Sequence, residues 1–596
     1  MCGIIGYMGR ENATEILLEG LARLEYRGYD SAGVAVRSGS GIHVCRRAGR
    51  VASLSAALQI DPLPPAKEGI AHTRWATHGA PTERNAHPHR YGRVTLVHNG
   101  IVENYAALKT ELVAEGILPT SETDTEILAC LIDRAYSGDP LPAIRTALSS
   151  VTGSYALAIL FDDRPGELYG VRRGSPLLVG HGESEHLLAS DKNALLFRTA
   201  FYTVLDEGET VRVSRDGATF YSAGGEPIEK PVLRSTESAD EAEKGGYAHF
   251  MEKEMTEQPE AVARTLAAHR DGELLRRALP QTEVDEVILL ACGSAMHASL
   301  LGQRFLEDWA GIPAQVCVAS EFRYHPPIFR KNTLAIAVSQ SGETADTLAA
   351  VRLCRARGIP TLGIVNVEGS SLSSLADRVL YTRAGTEIAV ATTKAYSAQA
   401  ALLARLANDL AAWRGRGSSR EHIFDALPAA MHLTEPCLTA CRRAAAALSD
   451  HAHVFFIGRG RDYPVCMEGA LKLKEITYIH SEAYPAGELK HGTISLVDRG
   501  TPVLALVTDE ALREKTVANV KECRARGAYV VLVLAEDAGN VPTDAYDERI
   551  DLPGGLGDLS VLPAAAVFQR IAYETALLLG RDVDKPRNLA KSVTVE

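Results

Sequence analysis

The chain has 596 residues, too many for one hydrophobic core, and a typical domain length of ~150 residues predicts about three or four domains. With 46% hydrophobic and 23% charged residues, its composition is that of a globular chain and excludes a disordered or fibrous one. A formal net charge of −12 argues against nucleic acid or an anionic membrane surface as a partner, so any anionic substrate must be caught by local groups.

No run of about eighteen apolar residues occurs, and the first residues lack the basic and apolar regions of a signal peptide, so a cytoplasmic protein is expected. The ten cysteines are scattered. Cys437 and Cys441 lie near each other, but no second pair or histidine cluster completes a zinc site, and neither metal nor cofactor is expected. Most of these residues read as buried thiols. Cys2 differs, because it becomes the first residue once Met1 is removed.

In chain order, residues 1–225 hold short alternating runs at 70–73, 94–98 and 155–161, joined by Gly- and Asn-rich turns, which predicts an α+β domain. Residues 226–280 turn polar and then weakly helical over 249–279, which predicts a linker and a connecting helix. Beyond 281, apolar strand, small-residue turn and helix alternate: 287–291 runs into Cys292-Gly293-Ser294, and 334–338 into Ser339-Gln340-Ser341-Gly342. That alternation predicts parallel, doubly wound sheets. Cys354-Arg355-Ala356-Arg357-Gly358 precedes the strand-like 361–365 just as Cys523-Arg524-Ala525-Arg526-Gly527 precedes 529–534, and 454–458 echoes 287–291. The repeat predicts tandem α/β domains at 281–425 and 445–590, followed by a tail at 586–596.

A cysteine at a chain start carries its own base, because an α-amine with a pKa near ~7.7 can take the proton of a thiol near ~8.5. A cysteine second in a chain is, alone, usually just an early residue. Gly3, next to it, would let the backbone come close to a ligand. Arg74-Trp75-Ala76-Thr77-His78-Gly79 offers a guanidinium suited to grip a carboxylate, or else a surface loop with a structural arginine. His98-Asn99-Gly100 offers an amide NH₂ and a backbone N–H for an oxyanion, or else a plain Asn-Gly turn. Asp124 reads as a first-turn acid of a helix starting near Ser121.

Taken together, Met1-Cys2-Gly3-Ile4, Tyr26-Arg27-Gly28-Tyr29-Asp30-Ser31-Ala32-Gly33, His72-Thr73-Arg74-Trp75-Ala76-Thr77-His78-Gly79, Asn85-Ala86-His87-Pro88 and His98-Asn99-Gly100 resemble the class II glutamine amidotransferases. The resemblance implies an N-terminal-nucleophile glutaminase domain, a sandwich of sheets with helices. In it Cys2 is the nucleophile, Asn99 and Gly100 form the oxyanion hole, and Arg74, Thr77, His78 and Asp124 bind glutamine. It also implies that Trp75 gates the passage of ammonia.

In the second half, Ser339-Gln340-Ser341-Gly342-Glu343-Thr344 lies between a strand and a helix, where hydroxyls and N–H groups can cradle a phosphate, or where a serine merely caps the helix. Glu468, Lys472 and Glu475 fall on one helical stripe, ordinarily a solvated face, although aldose–ketose isomerisation needs just such a carboxylate and cation. His491 reads as a loop histidine or a ring-opening acid/base.

These segments, with Ser320-Glu321-Phe322-Arg323-Tyr324, Thr393-Lys394-Ala395, Glu488-Leu489-Lys490-His491-Gly492 and Pro586-Arg587-Asn588-Leu589-Ala590-Lys591-Ser592-Val593-Thr594-Val595-Glu596, resemble the family of isomerising glutamine–fructose-6-phosphate aminotransferases. The resemblance implies two sugar-isomerase (SIS) domains, L-glutamine and fructose 6-phosphate as substrates, and a homodimer. By it Ser294, Ser339, Gln340, Ser341 and Thr344 bind the sugar phosphate, Lys591 forms an imine, Glu475 shuttles a proton, His491 opens the ring, and Glu468 and Lys472 support the chemistry. Ala295, Thr493 and Thr392 stand where the family usually has serine, proline and serine. Amidophosphoribosyltransferase and asparagine synthetase share the glutaminase, but the acidic-pair pyrophosphate motif and the Ser-Gly-Gly nucleotide loop are not visible. A non-catalytic sugar-phosphate sensor would need neither Cys2 nor Lys591.

Overall fold

The computed structural model describes residues 2–235, 243–270, 274–279, 283–416 and 420–594; Met1, most of the polar linker run and the last two residues of the tail lie outside them. The chain divides into two compact units, Met1–Glu243 with Ala590–Glu596, and Lys244–Leu589.

In the first unit the period-two alternation of its strands builds two antiparallel sheets of eight and seven strands. Gly3–Met8 lies inside the eight-stranded sheet, paired with Glu68–Arg74 and Glu185–Ala189. Ile4 points with Ile70 and Leu188 toward Val97, Ala156 and Leu160 of the other sheet, forming the core between the sheets. Ile5 and Tyr7 point the opposite way and pack under the helix Ala13–Leu24. On the far side, Leu96, Leu157 and Ile159 pack against the helices Asp124–Ala135 and Pro140–Ser149. The order is therefore helix, sheet, sheet, helix. A Cβ on Gly3 would come within 2.6 Å of Thr73 Oγ1 and 2.7 Å of Leu24 Cβ, so this glycine serves strand packing, where the sequence suggests ligand approach.

The second unit contains two parallel five-stranded sheets. In each, the first strand lies between the second and third, and the fourth and fifth follow outward. This is a doubly wound order whose switch point falls between the first and third strands, where ligands collect at the carboxyl ends. In the first sheet those strands are Glu286–Ala291 and Thr333–Ser339, ending at the Cys292 and Gln340 loops. The expected α+β sandwich followed by two doubly wound domains is the fold the chain adopts.

The stretch expected as one connecting helix contains, among the described residues, three helices of the second unit, Phe250–Thr256, Gln258–Ala267 and Leu274–Ala278, with Pro259 opening the second. Its polar residues read as linker because they work inside: Glu254 accepts from Ala389 N at 3.1 Å, and Ser397 Oγ donates to Gln258 at 2.6 Å. Among the described residues no helix is long and apolar enough to cross a membrane.

Candidate active sites

Cys2 enters the first strand at the edge of a loop made by residues 75–80. Trp75 N–H donates to Cys2 Sγ at 3.2 Å, and Asn99 Nδ2 donates to the Cys2 carbonyl at 2.9 Å. Burial pushes the Cys2 thiol up, against the pull of the positive chain terminus, the Trp75 N–H and Arg74. Asn99 and Gly100 sit on Val94–Val102, paired with Ala156 and Tyr155. Gly100 has φ +143°, and a Cβ there would meet Ser154 O at 2.0 Å, so only glycine can present its N–H here.

Arg74 is buried and donates to the carbonyls of His78, Gly79 and Ala80, which curls the loop around its guanidinium. Asp30, from the Tyr26–Gly33 motif, closes the same loop by accepting from Ala76 N at 2.9 Å. Asp124 opens its helix behind the Thr123 cap and accepts from Val102 N at 2.9 Å; His78 Nδ1 lies 3.9 Å from its carboxylate. Trp75 meets Tyr29 edge to face with ring centroids 6.1 Å apart, and Thr77 is exposed on the loop. Cys2, Arg74, Trp75, His78, Asn99, Gly100 and Asp124 thus come together around one chain terminus.

Beneath them lie four buried histidines, His72, His87, His89 and His98. Burial pulls His72 down to about 3 and His89 to about 4, and holds His87 and His98 below the usual 6.5. They face one another and Arg74, with Glu126 and Arg46 beside His89 and with Asp124 and His78 beside His98. Each is neutral in the fold but takes a proton in the unfolded chain below ~6.5, so the unfolded state binds more protons and stability is lost as pH falls through that value. The melting temperature of the full chain should drop from pH 7 to pH 5, with His72, His87 and His89 each contributing a slope approaching about 1.4 kcal/mol per pH unit and His98 adding in the same direction. A flat profile over that interval would contradict neutral burial.

In the second unit, Ser339 Oγ accepts from Gly342 N at 3.0 Å and Ser341 Oγ accepts from Glu343 N at 3.1 Å. Both hydroxyls use a lone pair on the loop and keep a proton to donate, which suits a phosphate at the start of the helix Ala345–Ala356. Thr344 Oγ1 lies 3.3 Å from Ser339 Oγ, and the carbonyl of half-buried Gln340 accepts from Asn366 N.

The Glu468 stripe is not solvated. Glu468 and Lys472, on the helix Asp462–Thr477, are 1% and 0% exposed, so the reading as a surface face fails for these two. Lys472 Nζ lies 2.6 Å from Glu475 and 3.4 Å from Glu468. Glu468 also accepts from Ser294 Oγ at 2.9 Å and meets His297 Nδ1 at 2.8 Å. Burial pushes the Glu468 carboxyl up, but Lys472, His297 and Ser294 outweigh it and hold it below the ordinary carboxylate range. Burial likewise pulls Lys472 down, and Glu475 and Glu468 carry it above its ordinary value. A charged carboxylate–ammonium–carboxylate array of this kind can move a proton between adjacent carbons and steady an enolate.

Ser294, expected at the substrate, gives its hydroxyl to Glu468. His491 is exposed on the turn Glu488–His491. Lys591 is half-buried in the segment Ala590–Glu596 that clusters with the first unit. Sequence reasoning passed over His297, whose signal is its place one helical turn after Ser294 on Gly293–Phe305. It also passed over Glu387, which accepts from Thr392 Oγ1 at 2.6 Å and from the N–H groups of Thr393 and Ala395 at the start of Lys394–Trp413. No capping spacing announces it.

A glutamine amidotransferase domain model matches residues 72–197, and a SIS domain model matches 282–408 and 447–576. Over the full length of both chains, the sequence is 48% identical to a glutamine–fructose-6-phosphate aminotransferase [isomerizing] of Symbiobacterium thermophilum and 46% identical to one of Thermus thermophilus. Among solved structures, the C-terminal domain of glucosamine-fructose-6-phosphate aminotransferase from Francisella tularensis matches with TM-score 0.54 and 34% identity, covering 57% of this chain and 99% of that one. With whole-length identity at this level and both kinds of domain in place, the chain belongs to the isomerising glutamine–fructose-6-phosphate aminotransferase family.

Proposed function

We propose that this chain converts glutamine and fructose 6-phosphate into glutamate and glucosamine 6-phosphate. The observation that carries the reading is the presence on one family chain of two chemistries: a chain-start cysteine beside an Asn amide, and a buried Glu–Lys–Glu array. Cys2 Sγ attacks the glutamine amide carbon, ammonia leaves, and water hydrolyses the glutamyl thioester. Asn99 Nδ2 and the Gly100 N–H receive the oxyanion, while Arg74, Thr77, His78 and Asp124 hold the amino-acid end.

Ser339, Gln340, Ser341 and Thr344 hold the sugar phosphate, and Ser294, whose proton goes to Glu468, keeps lone pairs to accept from a sugar hydroxyl. His491 opens the ring, and Lys591 forms an imine at C2 with loss of water. Ammonia then displaces the lysine, and Glu475 carries a proton from C1 to C2, supported by Glu468 and Lys472. The water lost in imine formation balances the water used on the thioester, so the sum needs neither oxidant nor reductant. Trp75 gates the passage of ammonia, which must stay unprotonated to attack.

The setting is the cytoplasm and the assembly a homodimer; Tyr324 and Ile328, exposed in the second unit, supply apolar surface for self-association. Mass measurement in dilute solution tests the dimer, and cell fractionation tests the location. Purified protein should release glutamate faster with fructose 6-phosphate present and form glucosamine 6-phosphate in equal amount; release without amino sugar would sink the proposal. Borohydride reduction with fructose 6-phosphate should add the sugar phosphate to the peptide containing Lys591, and label on Lys472 or Lys394 would reassign the imine.

A further inference from the structure

We propose that His72 is a positioning residue for glutamine hydrolysis, holding the Asn99 side-chain amide with its NH₂ toward Cys2. The inference rests on the glutaminase reading of Cys2. His72 lies on Glu68–Arg74, with Ile4 of the Cys2 strand as its register partner on one side and Gly33 on the other. Its ring is fully buried and stacked on His87, with centroids 4.0 Å apart.

The hydrogen bonds fix its tautomer. His72 Nε2 lies 2.9 Å from His98 O and 3.1 Å from Asn99 Oδ1. A backbone carbonyl can only accept, so Nε2 carries the proton and shares it between the two oxygens. His72 Nδ1 has no partner among the described residues and keeps its lone pair. His87 is fixed independently, since its Nδ1 accepts from His98 N at 3.3 Å.

An amide oxygen drawn to one side sends the amide nitrogen to the other. Asn99 Nδ2 accordingly donates to the Cys2 carbonyl at 2.9 Å. Were the amide reversed, its NH₂ would face the His72 N–H and its oxygen would face the Cys2 carbonyl, turning two attractive contacts into two repulsive ones. It would also offer a lone pair, not a donor, to the oxyanion formed at the cysteine. His72 touches neither substrate nor sulfur, and acts only through Asn99.

The test compares His72→Leu, which fills similar volume without a donor, with His72→Gln, whose amide nitrogen can reach the same place. For His72→Leu we expect glutaminase kcat to fall about ten- to hundred-fold, approaching the loss of an oxyanion donor, with KM for glutamine within about twofold. Alkylation of Cys2 by iodoacetamide should proceed at the parental rate, because that displacement forms no oxyanion. His72→Gln should recover most of kcat. Parental kcat in the leucine variant, alkylation falling in step with kcat, or a glutamine variant no better than leucine would each overturn the assignment. A Cys2→Ala control separates the two levels, since glutamine hydrolysis surviving in it refutes the glutaminase reading itself, whatever His72 does.

Discussion

Cys2→Ala will lower glutamine hydrolysis by roughly 10⁴-fold or more while fructose 6-phosphate is still interconverted with its aldose, because the substitution removes the proposed nucleophile and leaves every group proposed for isomerisation in place. Asn99 holds residue 2 by its backbone carbonyl, which alanine keeps, and only the Trp75 N–H loses its acceptor, the Cys2 sulfur, so the alanine chain should fold. The helix-sheet-sheet-helix core of the first unit is formed by Ile4, Ile5 and their neighbours and does not include the sulfur. Of the groups proposed for isomerisation, Glu468, Lys472, Glu475 and His491 belong to the second unit, which has its own sheets, and Lys591, in the segment that clusters with the first unit, needs no sulfur for its chemistry. Loss of both activities together would mean that the alanine disturbs more than one step. Mass spectrometry adds a second check, since the active protein should begin at Cys2 with a free amine; a chain retaining Met1 yet fully active with glutamine would remove the amine from the mechanism.

Much of this architecture could be read from residue order. The runs at 94–98 and 155–161 became the strands Val94–Val102 and Gly153–Phe161, because apolar alternation specifies which face meets the core. The repeated Cys-Arg-Ala-Arg-Gly segments mark the same helix end in two sheets of identical order. Other features had no signal in a single chain. Helical spacing places Glu468, Lys472 and Glu475 on one stripe but does not tell water from a partner element, and burial came from Ser294 and His297 across 171 or more positions. Glu254 looks like a surface acid, yet it satisfies a backbone N–H 134 residues away, a contact that only the tertiary fold creates, and Glu387 satisfies N–H groups 6 and 8 residues on at a helix start, a spacing that no capping pattern announces. His72 was visible within a motif, but its tautomer depends on two oxygens from another strand.

Lys472→Met should combine a large loss of isomerisation with a measurable loss of stability. Methionine keeps the unbranched stem but removes the ammonium that lies between Glu468 and Glu475 at 3.4 and 2.6 Å. Removing one member of a buried charged set leaves the others uncompensated, which typically costs about 3–5 kcal/mol. The sign with pH also reverses. In the parent, Glu468 is held below its ordinary range, so its contribution is present above the unfolded value of ~4.3 and is lost as pH falls through the lower folded value. In the variant, burial dominates, Glu468 is carried upward, and neutral pH becomes the unfavourable side. The stability gap between variant and parent should therefore narrow on mild acidification. Replacing both members, Glu468→Gln with Lys472→Met, should recover part of the stability without recovering activity, because the buried charge of Glu468 is gone but so is the cation proposed to steady the enolate. Thermal unfolding at pH 5.5 and 7.5, set beside the rate of fructose 6-phosphate isomerisation, decides the matter: a single variant as stable as the parent at both values, or one that still isomerises at the parental rate, would show that Lys472 neither balances this array nor serves its chemistry.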